Sequence, residues 1–122
     1  MLKKIQKAKR TTPEGKVKDI VEGYLQQRLK LVPASKASEV THENNGWYYM
    51  PVQNGMGVAG IPDFLGHYKG QFFAIETKKD AVSKPTPRQI DQLNALDRTG
   101  AVAYVVGEES KMVEFCIEME EF

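Results

Sequence analysis

The chain has little cysteine: Cys116 is the only one in 122 residues. That excludes an internal disulfide and a cysteine-based zinc site, and it fits a reducing compartment. No apolar run approaches the roughly 18 residues of a membrane span. The basic start M-L-K-K-I-Q-K has no apolar stretch behind it, so neither secretion nor a membrane partner is expected. Histidine is scarce too. His42 and His67 have no second ligand at metal spacing, and His67 is expected to be structural. Repeats and low-complexity segments are absent. Net charge is small, +1, but it is unevenly spread. Residues 1–40 hold ten Lys/Arg against four Asp/Glu, while residues 108–122 hold one Lys against six Glu. A basic first third suits phosphate partners, although a solvated arm has the same composition.

What is present predicts one α/β domain over 12–122 behind a basic, flexible lead-in over 1–11. Thr12-Pro13-Glu14 reads as a cap, a first-turn proline and an acidic first turn. The helix it starts runs to about Leu31, with Val17, Ile20, Val21, Tyr24 and Leu31 on one side and Pro33 as the stop. A polar loop follows over 34–46, then a strand over Trp47–Val52. Asp63–Tyr68 and Gln71–Lys78 read as two strands joined at Lys69-Gly70. Thr86-Pro87-Arg88-Gln89 is a capping-box start for a helix to about Thr99, with Ile90, Leu93 and Leu96 inward and Gly100 as its stop. Ala101–Val106 reads as a buried strand. Ser110 is expected to cap a last helix with Met112, Phe115, Cys116, Met119 and Phe122 on its apolar face. The expected order is α-β-β-β-α-β-α.

Gly55, Gly57 and Gly60 stand in G-x-G-x-x-G spacing, with Glu76 downstream. That is the spacing of a dinucleotide fingerprint, which works only between a strand and a helix. Here Pro62 and a strand pattern follow, so no dinucleotide is expected. The glycines are read instead as a tight loop that delivers Asp63 to the start of a strand.

Glu76 and Lys78 are two apart on one strand and so share a face. The hairpin register brings Asp63 close to both. A surface ion pair at a strand end is the plain explanation. The chemical one is a hard-cation site, where carboxylates, a backbone carbonyl and water suit Mg²⁺ or Mn²⁺. Lys79, Lys84 and Arg88 flank these residues and are candidates for phosphate contacts, as is the backbone at Gly57. Trp47, Tyr48 and Tyr49 suit base stacking or core packing.

P-D, a spacer and E-x-K resemble the PD-(D/E)xK nucleases. G-M-G-V-A-G-I-P-D-F, F-F-A-I-E-T-K-K, K-P-T-P-R-Q, G-A-V-A-Y-V-V and T-P-E-G-K-V-K look like the VRR-NUC (virus-type replication-repair nuclease) branch, over roughly residues 12–107. The resemblance implies a restriction-endonuclease-like core, a small mixed central sheet flanked by helices. It implies metal-dependent hydrolysis of DNA centred on Asp63, Glu76 and Lys78, leaving 5′-phosphate and 3′-hydroxyl ends, with the Thr77 backbone carbonyl as a further metal ligand. It adds a glutamate from the first helix. Glu14 is favoured, at the edge of the inward face; Glu22 is the fallback, well away from that face. It places Gln89 near the metal. Stand-alone members look like homodimeric junction-resolving enzymes, so branched DNA and a second copy are the expected partners, in the cytoplasm of a bacterial or phage-infected cell. The rivals are a non-catalytic DNA-binding module and a flap, single-strand or RNA-directed nuclease.

Overall fold

The computed structural model describes residues 9–122. Most of the lead-in expected over 1–11 therefore lies outside the described residues. Arg10, near its end, is fastened to the first helix: its guanidinium bonds Asp19 and Glu22, and its backbone N–H donates to Asp19.

The chain runs α1 (Pro13–Gln27), β1 (Leu31–Pro33), a 3-10 helix (Ala34–Glu39), β2 (Gly46–Tyr49), β3 (Phe64–Tyr68), β4 (Gln71–Thr77), α2 (Pro87–Arg98), β5 (Val102–Val106) and α3 (Glu109–Met119). The five strands form one sheet in chain order. It is mixed: β1–β2 and β4–β5 are parallel, β2–β3 and β3–β4 antiparallel. This is the α/β fold expected, with two additions. α1 stops at Gln27 rather than near Leu31, because Lys30 turns the chain at φ 58° and Leu31 starts a strand. The expected loop over 34–46 contains the short 3-10 helix.

Local chemistry explains the elements. Thr12 accepts from the Gly15 N–H at 3.0 Å to cap α1. Lys69 and Gly70 both have positive φ, the backbone of a tight hairpin turn joining β3 to β4. The Thr86 capping box is complete at the start of α2. The expected cap at Ser110 is not one. α3 begins at Glu109, so Ser110 lies in the first turn, and Glu108 takes the cap position without a side-chain bond.

Strand alternation sorts the sheet into two faces. Tyr48, Phe73, Ile75 and Val106 lie on the face that packs with Val21 and Leu25 of α1 and Met112, Phe115 and Met119 of α3, forming the core. On the opposite face α2 lies against β4 and β5. It buries only Leu93, leaving Ile90 exposed where an inward position was expected. At the chain's end Phe122 lies beyond α3 and is exposed as well.

Candidate active site

The glycine-rich loop lies between β2 and β3. Gly60 has φ +82°, and a Cβ there would fall 2.4 Å from the Arg88 carbonyl oxygen. Only glycine lets the loop's end close on the first turn of α2. Three residues later comes Asp63. A Cβ added at Gly55 or Gly57 would meet nothing within 4 Å, and both are exposed. The loop's last glycine therefore packs against α2 three residues before Asp63, and a strand rather than a helix follows the glycines.

Asp63 is held firmly. The Thr77 N–H donates to its Oδ2 at 3.0 Å and the Thr77 hydroxyl at 2.6 Å. Phe64 pairs with Ile75, so Asp63 falls beside Glu76 across the β3–β4 pair. Both carboxylates are buried, Glu76 to 2% exposure. Gln89 ties the next residues together. Its Nε2 donates to Glu76 Oε2 at 3.0 Å, and its Oε1 accepts from Lys78 Nζ at 2.8 Å and from the Thr86 N–H at 2.9 Å. One glutamine thus completes the helix cap and bridges Glu76 to Lys78. Lys78 Nζ stands 3.9 Å from Glu76 Oε2. The fold therefore brings Asp63 and Glu76, both buried, together with the partly exposed Lys78 and Gln89 in one cluster.

That cluster is electrostatically unfinished. Burial, and then the charge of Asp63, push the Glu76 carboxyl up to about 8, with Lys78 pulling the other way. Glu76 Oε1 is buried with no hydrogen-bond partner among the described residues. Two buried carboxylates, one with a bare oxygen, suit a hard divalent cation. Among the described residues no three His, Cys, Asp or Glu side chains group as a metal site by themselves. A cation here would draw on Asp63, Glu76, a backbone carbonyl such as that of Thr77, and water.

The two first-helix glutamates separate. The Glu14 carboxylate lies near enough to push the Glu76 carboxyl upward, and Lys18 Nζ stands 3.8 Å from both Glu14 Oε2 and Asp63 Oδ1. Glu22 is occupied elsewhere, accepting from the Tyr48 hydroxyl at 2.6 Å and from Arg10 at 3.1 Å. It is buried, contrary to the outward position the helical wheel gave it, because Tyr48 of β2 and Arg10 cover that side of α1. The sequence carries no mark of Lys18 as part of this cluster. Nothing in its spacing said that α1 passes the start of β3.

Lys79, Lys84 and Arg88 are exposed around the cluster's sequence neighbours. The aromatic run divides. Tyr48 is core, while Trp47 and Tyr49 point out of the other face with near-parallel rings 6.2 Å apart. His67 Nδ1 accepts from the Gly70 N–H, a turn contact, as expected of a structural histidine.

Two solved structures resemble most of the chain. One, titled "VRR_NUC domain", has a TM-score of 0.61 at 25% identity and covers 88% of this chain and 97% of its own. The other, titled "VRR_NUC domain protein", has a TM-score of 0.63 at 16% identity, covering 92% of this chain and 91% of its own. Neither a family model nor a curated protein matches the sequence.

Proposed function

We propose that this chain, a VRR-NUC domain by its fold, is a DNA endonuclease that hydrolyses phosphodiester bonds with the help of Mg²⁺ or Mn²⁺. The observation that carries the reading is the buried pair Asp63 and Glu76, with Lys78 secured to Glu76 through Gln89. A binding-only module has no need of such a pair, whose mutual repulsion opposes folding.

Asp63, Glu76, the Thr77 carbonyl and Glu14 would hold the cation. When bound, it supplies charge neutralisation and polarisation of the phosphoryl group. The protein's own groups do the rest. Thr77 fixes Asp63 by two hydrogen bonds. Gln89 restrains the Lys78 ammonium, whose role is to orient the attacking water or to stabilise charge developing on the phosphate. Exposed Lys79, Lys84 and Arg88 neutralise flanking phosphates, and the backbone at Gly57 lies open to the nucleic acid. The products are 5′-phosphate and 3′-hydroxyl ends.

The favoured substrate is a four-way junction cut by a homodimer, since two sites on a two-fold axis suit paired cuts. Exposed Ile117 on α3 and Phe122 just beyond it supply apolar surface for a second copy. The single thiol, Cys116, is fully buried, which fits action in a bacterial or phage-infected cytoplasm. End-labelled four-way junction, flap, duplex and single-stranded DNA, and a matched RNA set, offered with Mg²⁺, Mn²⁺ or chelator, test the reading. Metal-dependent symmetric cuts in the junction support it. Cutting of flaps, single strands or RNA keeps the nuclease and replaces its substrate. Binding without cutting of any substrate refutes catalysis.

A further inference from the structure

Each buried carboxylate of the cluster has its own lysine. Lys78 belongs to Glu76 and is restrained by Gln89. Lys18 belongs to Asp63 and is held differently. It lies one helical turn after Glu14 and makes no hydrogen bond to either carboxylate. Its two ion pairs, both at 3.8 Å, are longer than the roughly 2.7–2.9 Å of a charge-assisted bond. Its side chain is 25% exposed, whereas that of Asp63 is 10% exposed. The ammonium is thus loosely held, with a route to water, at the end of a flexible four-carbon stem.

We propose that Lys18 is the displaceable counter-ion of the cation site, standing where Asp63 and Glu14 would share a divalent ion and competing with that ion for them. The inference rests on the cation reading above. A divalent ion bound to these oxygens approaches to roughly 2.0–2.1 Å for Mg²⁺, so ammonium and ion do not occupy the same place. The lysine stabilises the metal-free site and leaves when the ion enters. This differs from the role of Lys78, whose bond to Gln89 keeps it in place. It also accounts for a lysine aimed at a carboxylate that already has two donors from Thr77.

The test is calorimetric titration of Mn²⁺ into the full chain as wild type, Lys18→Met and Lys18→Arg, with thermal melts to confirm folding. Removing a competing charge in a partly exposed pair is expected to tighten Mn²⁺ binding about fivefold in Lys18→Met. Lys18→Arg, which keeps the charge, is expected to stay near the wild type. Equal or weaker Mn²⁺ binding by Lys18→Met overturns the inference and leaves the cation site standing. No Mn²⁺ binding by any of the three proteins overturns the cation site itself, and this inference with it.

Discussion

Glu76 concentrates the conflict in this molecule, because burial and the charge of Asp63 both oppose its ionisation. Its carboxyl titrates near 8 when folded, against 4.5 ordinarily. Between those values the folded state binds the extra proton, so stability falls as pH rises through that window. Melts in chelator from pH 5 to 9 are expected to show this fall in the wild type. Glu76→Gln is expected to flatten it and to gain roughly 2–4 kcal/mol at pH 8. A wild type whose stability is level across that window would contradict the account. Gln89 acts through its neighbours, so Gln89→Ala is expected to lower cleavage roughly 10–100-fold with the fold intact, measured by single-turnover kinetics. The placement of Asp63 beside Glu76 was legible in the sequence because a strand's two-residue period and a short hairpin turn fix the register. Lys78 does lie near Glu76, although β4 ends at Thr77, one residue before the strand end expected. Lys18 and Glu22 were not legible. Their surroundings come from chain segments far off in sequence, β3 for one and β2 with Arg10 for the other.

Among the elements, the loop ending at Gly60 and the start of α2 act as one unit. Gly60→Ala puts a methyl group against the Arg88 carbonyl at a positive φ. It is expected to cost about 1–3 kcal/mol and to lower cleavage by shifting Asp63 relative to Gln89. Thr86→Ala removes one arm of the capping box and is expected to cost about 1 kcal/mol, read by urea denaturation. A loss of activity in Gly60→Ala no larger than in Thr86→Ala would argue against the loop's positioning role. β3, β4, β5 and the three helices were readable from period and turn residues, and the starts of α1 and α2 from their caps as well. β1 was not. Three residues, Leu31, Val32 and Pro33, are too few for a period, and they form a strand only because β2 offers a parallel edge. The observed end of α1 at Gln27 falls short of the expected Leu31 for the same reason, since Leu31 suits either the helix's apolar face or the strand.

The whole molecule shares its sheet between two tasks. One face carries the core against α1 and α3. On the other, Glu76 lies in the row paired with Val105, next to α2, and Trp47, Tyr49 and Phe72 remain exposed further along. Among the described residues no helix is long and apolar enough to cross a membrane. A homodimer is expected to sediment at twice the 13.7 kDa of one chain, and a single-chain mass would contradict paired cutting. The central claim is that Asp63 and Glu76 hold the cation that cleaves DNA. Its most direct measurement is cleavage of a four-way junction across a Mn²⁺ titration by the wild type, Asp63→Ala and Glu76→Gln, with DNA binding measured alongside. The account predicts metal-dependent cutting by the wild type, and at least a hundredfold slower cutting by both variants while they still bind the junction, on the order of what one preorganised catalytic group contributes. Cutting that persists in either variant, or that proceeds unchanged in chelator, would contradict it.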